Sequence, residues 1–287
     1  MSVRFTKLQG IGNDFIALDA VHFDIPSPAA LGRALCDRRF GIGADGLILA
    51  CPSAAADMRM RIINPDGSEA EMCGNGIRCA AKFMYDSGLV RKTEFDVETL
   101  AGVKHIRLQM DGESAVGATV DMGVPQLTPE AIPVAADTNL VHISLDGRDC
   151  AFFCVNTGVP HAVTFDYYPE ARADFWRFGE MLETHPLFPK KTNVEFCRAE
   201  DSENIRVKVW ERAIGPTLAC GTGSCAALVA AATLDLTGRS ANVHLPGGTL
   251  RDEWLPDDRI FMTGPARSVF TGEIALEDFL PQRAMGL

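Results

Sequence analysis

The chain has 287 residues, a formal net charge of -11 and 47% hydrophobic residues, enough for one large domain or two ordinary ones around a sizeable core. That charge balance argues against broad nucleic-acid binding, which needs clustered Lys and Arg, although a locally positive pocket could still take an acidic small molecule. No run approaches the ~20 apolar residues of a membrane-spanning helix, and Met1-Ser2-Val3-Arg4-Phe5 lacks the apolar run of a signal peptide. The expectation is therefore a cytoplasmic protein, with neither membrane nor nucleic acid as partner.

The first segment, Val3 to Ala20, reads as two strands around Gly10-Ile11-Gly12-Asn13. Pro28 to Arg39 has helical composition and follows Ser27, an expected N-cap. Gly46 to Cys51 and Met58 to Asn64 read as strands, followed by turn chemistry at Asn64-Pro65-Asp66-Gly67. A helix is expected over Gly74 to Ser87, stopped by Gly88, and three alternating strands over Thr93 to Met122. Further on come strands within Leu140 to Asp166, then a helix over Ala173 to Thr184 ended by Pro186. Strands follow at Asn193 to Arg198 and Ile205 to Glu211, then an Ala-rich helix over Gly221 to Leu236 stopped near Gly238. Short strands close the chain at Val243 to Leu245, Leu250 to Leu255, Ile260 to Thr263 and Ser268 to Ile274.

The two halves repeat. Cys73-Gly74-Asn75-Gly76 and Cys220-Gly221-Thr222-Gly223 each open a helix, and both helices continue into Cys-Ala-Ala, at Cys79-Ala80-Ala81 and Cys225-Ala226-Ala227. Gly12-Asn13-Asp14-Phe15 and Gly158-Val159-Pro160-His161 recur at nearly the same spacing. Asn64 and Glu211 each end a strand nine residues before a helix-opening cysteine. Ordered matches at one offset are the mark of duplication. The expected domains are residues 1–122 with 267–287, carrying Cys73, and residues 123–266, carrying Cys220. Two similar halves can set equivalent residues on opposite sides of one cleft.

Nine cysteines, an odd number, argue against a disulfide framework, and most are expected to be small core residues, Cys79 and Cys225 among them. Cys73 and Cys220 differ because a helix N-terminus favours a thiolate. The adjoining glycines admit a close ligand, and the free N–H groups of a helix start suit a carboxylate. Two acid–base groups flanking an α-carbon can remove a proton from one face and return one to the other, one as thiolate while the other is thiol. The expected activity is thus inversion of an amino-acid α-carbon.

At these residues the chain resembles the diaminopimelate epimerase family along its whole length. The matching blocks are Gly12 to Phe15, Phe40 to Gly46, Asn64 to Glu69 running into Met72 to Gly76, Trp210-Glu211-Arg212 and Ala219 to Gly223. The resemblance implies an α+β fold of two pseudo-symmetric halves, each a mixed sheet curled around a central helix, with the C-terminal tail returning to the first. It implies interconversion of LL- and meso-diaminopimelate in lysine biosynthesis, with no cofactor and no metal, and a homodimer. Cys73 and Cys220 match the catalytic positions. Asn13, Asn64, Gly74, Asn75, Asn193, Glu211, Arg212, Gly221 and Thr222 match substrate-binding positions, and His161 and Glu211 match positions that tune the cysteines. Arg212 suits a two-pronged carboxylate contact, and the asparagines offer both donors and acceptors.

Gly46 and Val159 stand where many family members carry Gln and Asn, and Ala213-Ile214-Gly215-Pro216 replaces the usual Gly-Ala-Gly-Glu. Two alternatives therefore stay open: a racemase of another amino acid such as histidine on the same fold, and a non-catalytic amino-acid-binding or thiol redox-sensing protein. Gly41-Ile42-Gly43-Ala44-Asp45-Gly46 fits a dinucleotide fingerprint in spelling, but it follows helical sequence and Asp45 would repel a pyrophosphate. The cysteine spacings are not those of a zinc site, and no G-x-S-x-G nucleophile elbow occurs.

Overall fold

The computed structural model describes residues 2–280. The first stretch of elements is β1 (Ser2–Gly10), β2 (Asn13–Asp19), α1 (Pro28–Cys36), β3 (Gly46–Cys51), β4 (Met58–Ile63), β5 (Glu69–Ala70) and α2 (Gly74–Asp86). There follow β6 (Glu94–Thr99), β7 (Gly102–Asp111), β8 (Ser114–Gly123), β9 (Leu140–Leu145), β10 (Arg148–Asn156), β11 (Pro160–Thr164) and α3 (Arg172–Glu183). The rest are β12 (Asn193–Asp201), β13 (Asn204–Glu211), β14 (Gly215–Pro216), α4 (Gly221–Thr233), β15 (Ser240–Leu245), β16 (Gly248–Trp254), β17 (Ile260–Pro265) and β18 (Arg267–Ala275), then a 3-10 turn at Leu276–Phe279. Every expected strand region and helix is present within a few residues of its expected bounds. The two-residue strands β5 and β14 had no counterpart in the sequence reading.

The described residues form two compact units: residues 2–120 together with 264–280, and Asp121–Thr263. The C-terminal stretch 281–287, expected to belong with the first half, lies outside the described residues.

In the first unit β18 runs antiparallel to β1 and β1 antiparallel to β2. Next, β2 is parallel to β3, β3 antiparallel to β4, β4 parallel to β6, and β6, β7 and β8 are successively antiparallel. The second unit follows the same sequence of senses from β9 through β10, β11, β12, β13, β15, β16 and β17. The short strands β5 and β14 pair with β4 and β13 in the same way. Even the registers coincide. Phe15 faces Gly46 as His161 faces Asn193, Leu47 faces Ile63 as Val194 faces Trp210, and Met58 faces Val97 as Ile205 faces Val243. A one-residue slip would turn every side chain to the other face, so matching registers make these positions true equivalents.

Each unit closes around one helix. In α2 every residue from Gly74 to Met84 is buried, and the helix packs on β1, β2, β3, β4 and β7. In α4 Gly221 and Gly223 to Ala231 are buried, against β10, β11, β12, β13, β15 and β16. Helix α4, apolar on nearly every side, belongs in a core, and its small residues Ala226, Ala227, Ala230 and Ala231 let strands approach from several sides, whereas α2 also buries Asn75, Arg78 and Lys82. A second core lies outside each sheet, under α1 in the first unit and under α3 in the second.

Three local expectations are corrected. Ser27 caps α1 through its carbonyl, which takes the N–H groups of Ala30 and Leu31; its side chain makes no cap bond because its own backbone is left-handed, at φ 47°. Helix α1 also stops at Cys36 rather than Arg39, because the carbonyls of Leu35 and Cys36 are taken by Ile42, Gly43 and Ala44. Helix α4 ends at Thr233, well before Gly238. Asp235 supplies the left-handed residue at φ 56°, and the N–H groups of Leu236 and Asp235 return to the carbonyls of Ala231 and Ala232, the geometry usually given to glycine.

Candidate active site

The two helix-opening cysteines have the same construction. Cys73 and Cys220 are the N-caps of α2 and α4, both in extended backbone. Each sulfur accepts the N–H of the third helical residue, Gly76 or Gly223, at 3.4 Å. An N-cap acceptor satisfies one of the donors that the first turn leaves open, here with sulfur in place of the usual oxygen. A side chain at either third position would crowd a neighbour. A Cβ on Gly76 would stand 2.7 Å from Ile62 Cδ1, and one on Gly223 2.7 Å from Glu195 Oε1.

Helix register also sorts the remaining thiols. Counting from the caps, Cys225 is equivalent to Arg78 and Cys79 to Ala226, so the Cys-Ala-Ala runs are one residue out of step and are not equivalent pairs. Cys79 and Cys225 are fully buried. Burial pushes the Cys79 thiol up to about 12; burial, then the charge of Asp252, pushes Cys225 well above the usual thiol range. They are inert core residues. All nine cysteines are free thiols.

Two side-chain amides lie beside Cys73. Its thiol lies 3.6 Å from Asn13 Oδ1, which also accepts from Asn75 Nδ2 at 3.4 Å. Asn13 is held from behind, its Nδ2 donating to Asp45 Oδ2 at 2.8 Å. Asp45 is clamped in turn by Arg38 at 2.8 Å, and Arg38 also grips both oxygens of Asp14, at 3.1 and 2.6 Å. Lys7 completes the cluster, 2.6 Å from Asp14 and bonded to the Gly43 carbonyl. Burial alone would raise the Asp14 carboxyl, but Arg38 and Lys7 hold it at about 2. The loop 41–46, whose spelling fits a dinucleotide fingerprint, therefore braces Asn13. Asn64 ends β4, and its side-chain amide is used within the turn, on Ser68 Oγ at 2.9 Å.

Around Cys220 the groups are ionisable. Thr222 Oγ1 is 3.3 Å from the sulfur. Glu211, at the end of β13, accepts from Thr217 Oγ1 at 2.6 Å; burial lifts its carboxyl above the usual range. His161 on β11 and Glu195 on β12 are both fully buried and bonded Nδ1 to Oε1 at 2.7 Å. Burial pushes Cys220 well above the ordinary thiol range, and the charges of Glu211 and Glu195 add to this, against the opposing contacts of Thr222 and Gly223.

The turn after β13 is anchored to its own unit. Asn193 Oδ1 accepts the Arg212 N–H at 2.7 Å, and Arg212 Nη1 reaches the Lys190 carbonyl at 3.1 Å. Glu183, at the end of α3, accepts from Trp210 Nε1 at 2.8 Å, Lys191 Nζ at 3.0 Å and the Ala213 N–H at 3.1 Å. Burial opposes its charge, and these three donors outweigh burial and hold its carboxyl below the usual range.

The expected site residues divide between the two units. Gly74, Asn75, Asn13 and Asn64 lie with Cys73, and Gly221, Thr222 and Glu211 are the second unit's equivalents of Gly74, Asn75 and Asn64. The equivalent of Asn13 is Val159, and His161 and Asn193 have Phe15 and Gly46 at their equivalent positions. The sequence reading passed over Glu195, Asp45 and Thr217. Glu195 had a visible signal, a lone acid in the apolar run Val194-Glu195-Phe196 where the repeat puts Ile48. Among the described residues no group of three or more His, Cys, Asp or Glu is placed to hold a metal ion.

Comparison with known proteins agrees with this construction. The family model described as diaminopimelate epimerase matches residues 5–128 and 153–269. A diaminopimelate epimerase of Desulfitobacterium hafniense is 48% identical, covering 97% of this chain and 100% of its own. One from Methanococcus maripaludis is 46% identical over 95% of this chain and 99% of its own. Among solved structures, a hydroxyproline epimerase from Agrobacterium vitis superposes with a TM-score of 0.69 at 18% identity, covering 98% of this chain and 93% of the other. A probable proline racemase from Agrobacterium radiobacter gives 0.71 at 15% identity, covering 98% and 95%. Those structures share the fold. Duplicated sheets around two cysteine-capped helices, together with near full-length identity approaching one half, place this chain in the diaminopimelate epimerase family.

Proposed function

We propose that the protein interconverts LL- and meso-diaminopimelate by two-base proton transfer, with Cys73 and Cys220 as the thiolate/thiol pair. The observation that carries this reading is the pair of equivalent helix starts, each capped by a cysteine whose sulfur takes the N–H of a glycine at 3.4 Å. In the forward step one sulfur takes the α-proton as its partner delivers one to the opposite face. The substrate leaves inverted, and the protein is left with the thiol and thiolate exchanged. No electron is transferred, and the proton transfers balance between the α-carbon and the two sulfurs. The N–H groups of Gly74, Asn75, Gly221 and Thr222 lie in the first turns of α2 and α4, where a helix dipole favours the charge that develops on a carboxylate.

Asn13, Asn64, Asn193, Glu211 and Arg212 hold the remaining polar groups of the substrate in this proposal, Arg212 by a paired contact to the distal carboxylate. His161 and Glu211 tune Cys220. Each half of the duplicated chain, residues 1–122 with 267–287 and residues 123–266, supplies one cysteine. Free thiols throughout suit a reducing compartment, so a cytoplasmic location is part of the proposal, as is a homodimer, to be checked by light scattering in solution.

The test is incubation in deuterated buffer with a reductant, with diaminopimelate stereoisomers and a panel of other amino acids offered separately. Deuterium should enter the α-carbon of diaminopimelate, and Cys73→Ser or Cys220→Ser should reduce that exchange by at least about a hundredfold. Exchange confined to another amino acid, or binding with no exchange, would overturn the assignment.

A further inference from the structure

The duplicated halves depart from one another beneath one cysteine. Phe15 and Ile48 in the first unit occupy the positions that His161 and Glu195 occupy in the second, as the matching registers of β2 with β3 and β11 with β12 show. All four side chains are buried. Under Gly76 the first unit places apolar atoms, Ile62 Cδ1 and Phe15 Cζ. Under Gly223 the second places Glu195 Oε1, at 2.7 Å from where a Cβ would be, with Cys220 Sγ 3.4 Å from the same point. The carboxylate oxygen and the sulfur are thus neighbours across one glycine. The outer atoms of the dyad, His161 Nε2 and Glu195 Oε2, are buried and have no hydrogen-bond partner among the described residues.

An apolar pair as in the first unit would satisfy packing with no desolvation penalty, and a buried charged pair gives little net stability. The dyad therefore calls for a chemical reason. We propose that Glu195 is a positioning residue for Cys220: fixed by His161 beneath the first turn of α4, its carboxylate keeps the proton on the Cys220 sulfur in the resting protein. This makes the two equivalent sulfurs unequal before substrate arrives, so that the thiol is assigned to the Cys220 half. The ionisable groups around Cys220 from its packing elements are His161 on β11, Glu195 and the buried Cys197 on β12, Glu211 on β13, and Asp252 on β16 beside Cys225. Of these only His161 can carry a positive charge. In this assignment Glu195 is ionised and His161 Nδ1 donates to its Oε1; burial pushes the Glu195 carboxyl up, and the charge and hydrogen bond of His161 oppose this.

The inference rests on the proposed role of Cys220 in catalysis, so it is tested by a readout that needs no turnover. Alkylation of each cysteine by iodoacetamide is followed against pH in the full-length protein, with the modified position located by peptide fragmentation. Glu195→Gln keeps the size of the side chain and removes its charge. The pH of half-maximal reactivity at Cys220 should fall by about one unit, a roughly tenfold gain in thiolate at fixed pH, with Cys73 changed less than about twofold. Glu195→Asp, which keeps the charge, should stay within about twofold of the parent. Should Glu195→Gln fail to fold, the double change Glu195→Ile with His161→Phe installs the pair that the first unit already accommodates, and Cys220 should shift in the same direction. An unchanged Cys220 profile, no modification of Cys220 in the uncharged variants at any pH, or an equal shift at Cys73 would overturn the inference. Absence of epimerase activity in the parent would reject the proposed reaction and leave this comparison readable.

Discussion

Placing a methyl group at Gly223 tests how firmly the buried His161–Glu195 pair is held. In Gly223→Ala the new carbon would stand 2.7 Å from Glu195 Oε1, so the oxygen must withdraw by about 0.7 Å to reach ordinary contact. That movement gives up much of a 2.7 Å charge-assisted bond to a fully buried imidazole, for which about 1.5–3 kcal/mol is typical. Alanine returns up to about 1 kcal/mol through its helix preference, leaving a net loss of about 0.5–2 kcal/mol. The equivalent change Gly76→Ala is the internal control. Its methyl meets Ile62 Cδ1 at 2.7 Å, the far end of an apolar side chain that yields by rotation at a cost of about 0.5–1.5 kcal/mol, and the same helix gain nearly cancels this. At the usual sensitivity of chains of this size, Gly223→Ala should melt roughly 1–8 °C below Gly76→Ala. Differential scanning calorimetry of both variants at pH 7 measures this. Equal melting temperatures would refute the claim that Glu195 Oε1 is held in place, since a free carboxylate would step aside as easily as an isoleucine methyl.

Acid stability should depend on Asp14. Its carboxyl is held at about 2 against an ordinary 3.8, so its contribution is full above about pH 4 and is lost as pH falls toward 2. After allowance for screening it amounts to about 1–2 kcal/mol, and Lys7→Met should move the acid-unfolding midpoint, followed by circular dichroism, to higher pH. Asn193→Ala removes the acceptor of the Arg212 N–H and should lower kcat/KM for diaminopimelate about tenfold to a hundredfold, mostly through KM, with melting little changed. Glu183→Ala strips partners from Trp210, Lys191 and Ala213 together and should cost about 2–4 kcal/mol in urea unfolding. Asp45→Ala releases Asn13 while leaving both cysteines in place, so steady-state kinetics should show kcat reduced about tenfold.

Much of the molecule was open to reading before any coordinates existed, because its strongest signals are local. Helix starts announce themselves by a capping residue and glycines, strands by alternation, and turns by Asn-Pro-Asp-Gly. A duplication shows as ordered matches at one spacing. The chain's family resemblance rests on such short blocks, and both cysteine-capped helices formed where those blocks put them. Local signals also misled at their edges. Ser27 has the composition of a side-chain cap but the backbone of a left-handed residue. Asp235 ends α4 where Gly238 was the better candidate by composition, since a tertiary hydrogen-bond pattern can hold a non-glycine residue in that region.

The sequence by itself determined that two halves share one plan and that each opens a buried helix with a cysteine. Those properties depend on residues within a turn or two of each other, where chain connectivity already enforces proximity. Only the tertiary structure decided which distant groups meet: Arg38 with Asp14 and Asp45 behind Asn13, Glu183 with the turn carrying Arg212, and His161 with Glu195 under Gly223. Such pairings depend on strand register. One residue of slip would turn Glu195 out of the core while leaving the composition of the chain unchanged.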